Sequence, residues 1–459
     1  MAPKFGTSGL RGLATDLTGD LVARHVRAFL ACCDCGQGLC VGADLRASSP
    51  RIKADVIAAA RAAGYRTVDC GALPTPALAL AAARAGYGAV MVTGSHIPAD
   101  RNGLKFYSRS GEITKADETA IRAGLQTAAP TGLPRGDFAE DPAAGDRFVA
   151  RYLDAFGPSG LSGRRIGFYA HSAVGRDLFA TLLAGMGAEV VPLGRSETFV
   201  SVDTEAVDAA TRARLADWAE TQGLDAIVST DGDSDRPLMT DETGQIVPGD
   251  ILGQITAEYL RADHVVTPVS SNSGVTQKGF GHVVLTRIGS PFVIAAMQES
   301  TGRVVGYEAN GGFLLGFEAS GPQGSLPALM TRDCVLPVLA VLLAAQGGPV
   351  SARVAREPAV VTAADRLQDI PLALSQRLIS SLVDSKDARD AFLSELGVRE
   401  TALDLTDGVR MHLAQGAVLH IRPSGNAPEL RVYVEAKDRP AAQDLLTRTI
   451  AVLRTALGS

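Results

Sequence analysis

The feature that most constrains the fold of this 459-residue chain is a regular alternation of short apolar runs with longer segments of helical periodicity. The alternation begins near residue 21 and starts again near residues 165 and 250. Strands that alternate with helices predict α/β units built around mixed or parallel sheets. The last hundred residues differ, because three strand-like runs there follow one another before a closing helix, which is an α+β pattern.

We therefore predict three related α/β domains with mixed sheets plus a C-terminal α+β domain, arranged around a central cleft. The length agrees with several domains of roughly 100–200 residues each. The predicted boundaries are residues 1–140, 141–242, 243–350 and 351–459.

Charge and hydropathy narrow the class of protein. The net charge is −6 and no basic block stands out, so we expect no nucleic-acid partner. No run reaches 18 apolar residues, and the N-terminus lacks the apolar core of a secretory signal, so we expect a cytoplasmic protein without a membrane partner. Four cysteines cluster at residues 32–40, but without a second metal-ligand pair they are interpreted as reduced thiols.

A first candidate motif follows the apolar run at residues 89–92. Ser95 stands between Gly94 and His96 directly after that strand, where a serine can be an exposed nucleophile. An Asn-Gly pair at residues 102–103 predicts a turn that brings Lys105 back over Ser95. The alternative is a polar loop whose serine has no catalytic role.

A second motif carries three carboxylates. Asp231, Asp233 and Asp235 alternate along a loop after another predicted strand, and their oxygens suit a hard cation such as Mg²⁺. A calcium-binding EF-hand is an alternative, since Glu242 falls at the twelfth position, although Arg236 occupies the position that needs glycine. A solvated acidic turn is the other alternative.

Two further loops are suited to a sugar phosphate. In the loop at residues 306–313, Glu308 and Asn310 can accept from and donate to hydroxyl groups. The loop at residues 422–429 combines Arg, Ser and Asn with a Gly turn, which makes a plausible phosphate cradle. Taken alone, the first loop is better explained as a turn between strands, and the second is equally compatible with a structural hairpin turn. Each of the four motifs falls in a different predicted domain, which suggests one shared cleft.

In combination the motifs resemble the α-D-phosphohexomutases, in particular the bacterial phosphomannomutase/phosphoglucomutase group. The resemblance extends from residue 4 to about residue 437 and includes the opening FGTSGLRG at residues 5–12. It implies an isomerase that interconverts mannose 6-phosphate and mannose 1-phosphate through a phosphoserine, with glucose and glucosamine phosphates as alternative substrates. It also implies Mg²⁺ as cofactor and a hexose 1,6-bisphosphate as activator and intermediate. A hexose phosphate is thus the expected partner, bound by a monomer or homodimer.

The resemblance also implies roles for individual residues. The implied catalytic residues are Ser95, which carries the phosphate, with His96, Lys105 and Arg11, Lys105 being the general acid/base. The implied metal ligands are Ser95, Asp231, Asp233 and Asp235. The implied substrate-binding residues are Arg236, Glu308, Asn310, Arg422, Ser424, Gly425 and Asn426.

This chain departs from the pattern of many relatives at several positions. Ser234 replaces a common glycine in the loop at residues 231–236, called the metal loop below, and Ile97 replaces an asparagine. Ser290 and Gly312 stand where many relatives have histidine, so the choice of sugar is open. A phosphatase and a non-catalytic phosphosugar-binding protein remain alternatives from other functional classes.

Overall fold

The fold is described from a computed structural model for residues 3–6, 9–126, 132–424 and 428–457. Helices pack on successive sheets, and the helix and strand order follows the chain through four units.

The first unit contains the sheet with the strand order β1-β2-β6-β5-β3-β4-β8, and β7 pairs with β6. Its strands are β1 (Lys4–Phe5), β2 (Leu10–Leu13), β3 (Gly38–Ala43), β4 (Arg66–Ala72), β5 (Gly88–Val92), β6 (Arg101–Ser108), β7 (Gly111–Glu112) and β8 (Phe138–Glu140). Its helices are α1 (Gly19–Cys32), α2 (Ser49–Ala62), α3 (Thr75–Ala85) and α4 (Lys115–Gly124). Local signals delimit these helices: Thr18 caps α1, and α3 ends at Gly86 in the left-handed conformation.

Strand β6 corrects the predicted Asn-Gly turn. Asn102 and Gly103 lie inside this strand, which runs antiparallel to β5 and sets Lys105 opposite Met91. The buried amide of Asn102 donates to the hydroxyls of two serines at 2.8 and 2.9 Å. Gly103 is needed for close approach, because a Cβ there would collide with a backbone carbonyl of β2. Tertiary contacts thus override the local turn preference.

The second unit has the strand order β10-β9-β11-β12-β13. Its elements are α5 (Ala144–Phe156), β9 (Arg165–Tyr169), α6 (Arg176–Gly185), β10 (Glu189–Leu193), α7 (Ala209–Gln222), β11 (Ala226–Thr230), β12 (Pro237–Thr240) and β13 (Ile246–Val247). Strands β9, β10 and β11 are parallel, and β12 is antiparallel to β11. The sequence predicts that the last helix starts at residue 204, but it starts at Ala209 because Asp208 caps it.

The third unit has the strand order β15-β14-β16-β17-β20, with β18 and β19 paired separately. Its elements are α8 (Gly249–Tyr259), β14 (His264–Pro268), a 3₁₀ turn (Ser273–Gln277), β15 (His282–Thr286), α9 (Ser290–Glu299), β16 (Val304–Tyr307), β17 (Phe313–Leu315), β18 (Ala319–Ser320), β19 (Ser325–Leu326), β20 (Leu329–Asp333) and α10 (Val335–Ala344). The sequence pattern predicts a helix over residues 332–345, but Arg332 lies in β20 and the helix starts at Val335.

The fourth unit is antiparallel, with the strand order β21-β25-β24-β23-β22. The remaining elements are α11 (Val350–Val354), β21 (Val361–Leu367), α12 (Leu372–Asp384), α13 (Lys386–Glu395), β22 (Glu400–Asp404), β23 (Val409–Leu413), a 3₁₀ turn (Ala414–Gly416), β24 (Val418–Pro423), β25 (Leu430–Ala436) and α14 (Arg439–Leu457). The predicted fold class, α/β units followed by an α+β unit, is confirmed. The exact domain boundaries stay predictions.

The apolar core is continuous across the first three units. One cluster joins side chains such as Leu78, Phe168 and Leu336, which come from the first, second and third units. The fourth unit has a core of its own, in which α14 packs on β21 and β25. The first three units therefore share one apolar core, which can hold the loops of all three in fixed positions relative to one another. Among the described helices, none combines the length and apolar character needed to cross a membrane.

Candidate active site

Ser95 lies at the end of β5 and faces the loop that follows β11. Its Oγ donates to Oδ2 of Asp231 at 2.6 Å, and the serine has no exposed surface. The backbone of Ser95 is in the left-handed region, with φ 53°, which a residue with a Cβ rarely adopts. Such strain persists only where surrounding contacts hold it. Here the N–H of Ser95 donates to Oγ1 of Thr93 at 2.7 Å.

The buried side chain of Arg46 hydrogen-bonds to the rest of this loop. It is 1% exposed and its Nε donates to Oδ2 of Asp44 at 3.1 Å. Asp44 in turn accepts from the hydroxyl of Thr93 at 2.8 Å. At distances of 2.6–3.1 Å the guanidinium also donates to backbone carbonyls, those of Ser95, Ile97, Pro98 and Arg101. Residues 93–100, called the nucleophile loop below, lack regular structure and are fixed in place through the buried ion pair of Arg46 and Asp44.

The three aspartates of the second motif come together as predicted. Asp231, Asp233 and Asp235 have no exposed surface, and a ligand oxygen from each lies within 4.8 Å of the others. The Nζ of Lys105 lies 2.5 Å from Oδ2 of Asp233 and 2.6 Å from Oδ2 of Asp235. Among the described residues, this is the group of acidic, histidine or cysteine side chains with the geometry for a metal ion.

The donor set fits a hard divalent cation. The Oδ1 atoms of Asp233 and Asp235 are buried, and no described group donates a hydrogen bond to them. Burial and the charges of the two neighbouring aspartates raise the pKa of Asp231. Burial alone would raise the pKa of Asp233, but the charge and hydrogen bond of Lys105, together with Thr75 and Arg332, outweigh burial, so this pKa lies below its usual range. Buried, mutually repelling carboxylates with free oxygens are what a magnesium ion compensates.

The structure contradicts both alternatives for this loop. It connects strands β11 and β12, whereas an EF-hand loop connects two helices. Glu242 does not join the aspartates but accepts from the N–H of Ser351 at 3.2 Å. Since the aspartates are fully buried, the loop is not a solvated turn either.

The first unit also supports the metal loop directly. Thr75, the first residue of α3, donates its N–H to the carbonyl of Asp233 at 2.9 Å and its hydroxyl to Oδ2 at 2.6 Å. Gly232 approaches the nucleophile so closely that a Cβ there would lie 2.8 Å from the carbonyl oxygen of Ser95. The two loops thus fix each other, although they are more than a hundred residues apart in sequence.

Cationic groups surround this cluster. Nη1 of Arg236 lies 2.8 Å from Nδ1 of His96, and this nitrogen lies 3.3 Å from Oγ of Ser95. Burial, Arg236 and Arg11 lower the pKa of His96, so the ring is neutral at neutral pH. Burial and the nearby Arg236 lower the pKa of Arg11 itself to about 10. Arg11 lies on β2 opposite Gly103 of β6, the strand that carries Lys105.

Glu308 and Asn310 are both buried in the loop between β16 and β17, residues 308–312, called the sugar loop below. Glu308 accepts from Nη1 of Arg332 at 3.4 Å, and Nη2 of the same arginine lies 2.9 Å from Oδ2 of Asp235. The side-chain oxygen of Asn310 accepts from the N–H of Gly312 at 3.0 Å. Arg332 thus connects the sugar loop to the metal loop.

Two of the predicted phosphate residues, Arg422 and Ser424, lie at and just after the end of β24 in the fourth unit. Nε of Arg422 lies 3.4 Å from Oδ1 of Asp407, whose Oδ2 accepts from the N–H of Ile288 in the third unit at 3.0 Å. Ser424 is buried and its N–H donates to the carbonyl of Glu429 at 2.8 Å. The other two predicted residues, Gly425 and Asn426, lie outside the described part of the chain.

Two of the sequence departures have clear local consequences. Ser234 has a left-handed φ of 53°, and its Oγ accepts from the N–H of Gly175 at 3.0 Å. Ser290 donates to Oε2 of Glu112 at 2.6 Å, which joins the third unit to the first. Both serines therefore make contacts that the residues typical of the relatives cannot make in the same way.

Sequence reasoning missed Arg46, Thr75 and Arg332. Each stands alone, without a neighbouring motif, and each acts through contacts with residues distant in the chain. An arginine just before a long apolar run, such as Arg332 before residues 334–345, is the one signal that a sequence offers, because a buried arginine needs carboxylate partners.

Comparison with known proteins agrees with this geometry. Models of the phosphoglucomutase/phosphomannomutase family match its alpha/beta/alpha domain I at residues 2–131, domain II at 147–244, domain III at 248–360 and its C-terminal domain at 377–452. The chain belongs to this family. The predicted resemblance is therefore confirmed.

Individual relatives agree over their full length. A phosphomannomutase of Sinorhizobium fredii is 48% identical, with all of both chains covered. A phosphomannomutase of Salmonella muenchen is 42% identical, with 99% of this chain and 96% of the relative covered. Among solved structures, a phosphoglucomutase/phosphomannomutase family protein of Burkholderia thailandensis superposes with a TM-score of 0.79 at 21% identity, covering 98% of this chain and 97% of its own. That structure supports the fold.

Proposed function

We propose that this protein is a phosphomannomutase, which interconverts mannose 6-phosphate and mannose 1-phosphate through phosphorylated Ser95. The observation that carries the proposal is the Oγ of Ser95 at 2.6 Å from Asp231, within a buried set of three aspartates and Lys105. Binding alone needs no such nucleophile, and the family membership makes the protein a phosphate-transferring isomerase.

The reaction moves one phosphoryl group at a time. A free hydroxyl of the bound hexose monophosphate attacks the phosphorus of phosphoserine, and the bond from phosphorus to Oγ of Ser95 breaks. Lys105 gives a proton to the departing Oγ and takes up the proton of the attacking hydroxyl, so charge and protons balance. The product is a hexose 1,6-bisphosphate, which turns around in the cleft. In the reverse transfer Ser95 receives the other phosphate, and the isomerised monophosphate leaves.

The chain's own residues position these groups. Asp231, Asp233 and Asp235, together with an oxygen of phosphoserine, would hold Mg²⁺, which supplies positive charge that offsets the charge of the phosphoryl group. Arg11 and Arg236 add fixed positive charge beside Ser95. In the proposal, Glu308 and Asn310 contact sugar hydroxyls.

In the proposal, the fourth unit binds the end of the substrate that lies away from Ser95. In the proposal Arg422 and Ser424, with Gly425 and Asn426, hold the phosphate that is not being transferred. A phosphatase has no need of this second grip, which favours the mutase. A monomer or homodimer in the cytoplasm, without nucleic-acid or membrane partners, completes the proposal.

The sugar is proposed from the relatives. Two full-length relatives at 48% and 42% identity carry the name phosphomannomutase. Glucose 1-phosphate and glucosamine 1-phosphate are the alternatives, because Ser290 and Gly312 replace side chains that many relatives place near the sugar.

The test is a coupled assay of mannose 1-phosphate, glucose 1-phosphate and glucosamine 1-phosphate, each with a trace of glucose 1,6-bisphosphate and with Mg²⁺ or a chelator. We expect magnesium-dependent isomerisation with the highest kcat/KM for mannose 1-phosphate. A higher kcat/KM for one of the other sugars would rename the enzyme. Stoichiometric release of inorganic phosphate would indicate a phosphatase, and binding without any turnover would indicate a binding protein.

A further inference from the structure

Arg332 is a buried cation of the candidate site, and it contacts acidic residues from three parts of the chain. It is 1% exposed. Its Nη2 lies 2.9 Å from Oδ2 of Asp235 in the second unit and 3.9 Å from Oε1 of Glu112 in the first, and its Nη1 lies 3.4 Å from Oε2 of Glu308 in the third. One guanidinium thus contacts the metal loop, the sugar loop and the β6–β7 hairpin.

The strand pairing places Arg332 there. Strand β20 runs antiparallel to β17, with Asp333 opposite Phe313, so the side chain of Arg332 passes over Gly312. A Cβ at Gly312 would lie 2.8 Å from both Cγ and Cδ of Arg332. The backbone of Gly312 is not left-handed, so glycine is required here for space rather than for conformation. The sugar loop is therefore shaped around the arginine.

The two carboxylate oxygens of Asp235 have different surroundings. Arg332 and Lys105 both lie within 2.9 Å of Oδ2, whereas Oδ1 is buried, accepts no hydrogen bond from a described group and has Nε of Arg236 at 3.7 Å. The carboxylate is thereby oriented with its second oxygen available to a cation. The same guanidinium holds Glu308, so the orientation of the sugar loop is tied to that of the metal loop.

We propose that Arg332 is a positioning residue that sets the orientation of Glu308 toward the bound sugar and couples it to the metal loop. The proposal rests on the proposed function, in which Glu308 contacts sugar hydroxyls. A planar guanidinium with several donors can span two carboxylates at once, which a lysine ammonium on one stem does less well. Arg332→Lys is therefore expected to retain only part of the effect.

The experiment compares Arg332→Ala and Arg332→Lys with Arg353→Ala. Arg353 is a suitable control because it is also buried, 7% exposed, and pairs with Glu357 at 2.7 Å and Glu258 at 2.8 Å, away from the aspartate cluster. We expect Arg332→Ala to raise KM for mannose 1-phosphate about tenfold or more with a smaller change in kcat, and Arg332→Lys to lie between it and wild type. Arg353→Ala is expected to lower stability without raising KM.

Two further readouts separate positioning from folding. Calorimetry in the Ser95→Ala background, which cannot turn over, is expected to show the same weakening of mannose 1-phosphate binding when Arg332 is removed. Gly312→Ala, which displaces the arginine without removing it, is expected to raise KM in wild type and to add little in Arg332→Ala.

The outcomes distinguish the inference from the function on which it rests. If wild type isomerises no hexose phosphate, the proposed function fails. If wild type is active but Arg332→Ala keeps its KM within about twofold, or Arg353→Ala raises KM equally, the positioning role of Arg332 is wrong. Additive effects of Gly312→Ala and Arg332→Ala would also overturn it.

Discussion

Replacing Arg46 with methionine is expected to loosen the nucleophile loop and to abolish most activity. Methionine retains the packing volume of the side chain but removes every donor. The change leaves the carboxylate of Asp44 without its cation at 3.1 Å. It also leaves four backbone carbonyls, those of Ser95, Ile97, Pro98 and Arg101, without the donors that lie 2.6–3.1 Å away.

The magnitude follows from these contacts. A buried polar group left without a partner costs about 1–3 kcal/mol, and breaking a buried ion pair costs about 3–5 kcal/mol. Water entering the opened loop recovers part of this cost, so we expect the free energy of unfolding to fall by about 3–5 kcal/mol. Ser95 also loses the carbonyl contact that helps to hold its left-handed backbone, so we expect kcat to fall by about a hundredfold or more.

The assays are urea denaturation, hydrogen exchange and mutase turnover. Exchange is expected to rise most in the amides of residues 94–101, the segment that Arg46 holds. Arg61→Met is the control, because this arginine lies on α2, the helix that follows Arg46 in the chain, and its Nε donates to one carbonyl, that of Gly136, at 2.9 Å. Unfolding free energy within about 1 kcal/mol of wild type, with turnover unchanged in Arg46→Met, would refute the reasoning.

Two further predictions concern buried polar groups. Ser234→Ala removes the acceptor of the Gly175 N–H but keeps the left-handed strain, so it is expected to lower the free energy of unfolding by about 1–2 kcal/mol. Ser234→Gly relieves the strain, so its free energy of unfolding, measured by urea denaturation, should be about 1 kcal/mol higher than that of the alanine variant. Equal stabilities of the two variants would contradict this. Burial raises the pKa of Asp250 from 3.8 to about 6, despite hydrogen bonds from the N–H groups of Asn272 and Ile251. The folded state therefore binds the proton more tightly than the unfolded state, and the contribution of Asp250 to stability falls as pH rises from about 4 to about 6 and is constant above. Relative to Asp250→Asn, wild type is expected to lose about 3 kcal/mol over that interval, measured by urea denaturation at each pH; parallel curves for the two proteins would contradict it.

The sequence predicts the site better where the residues are neighbours in the chain. The strand that precedes Asp231 and the spacing of the three aspartates specify a buried metal loop, because alternate carboxylates on one turn can face one cation. The position of Lys105 is predicted for the wrong reason. An Asn-Gly pair usually turns the chain, but here serine hydroxyls satisfy the buried amide of Asn102 and keep β6 extended.

Residues that act across units are not predictable in this way. The acidic neighbour of Arg332 in the sequence, Asp333, accepts from the hydroxyl of Tyr152, and the sequence pattern predicts that Arg332 starts an apolar helix. Its partners Glu112, Asp235 and Glu308 are brought to it only by the packing of three sheets. Tertiary structure thus decides which isolated polar residues serve the site.

The most direct test of the central claim is to locate the phosphate on the protein. Wild type and Ser95→Ala are incubated with glucose 1,6-bisphosphate and Mg²⁺, and their peptides are analysed by mass spectrometry. We expect one phosphate on Ser95 of wild type, which is lost to the sugar when mannose 1-phosphate is added, and none in Ser95→Ala, which has no turnover. Phosphate on another residue of wild type, or isomerisation by Ser95→Ala, would contradict it.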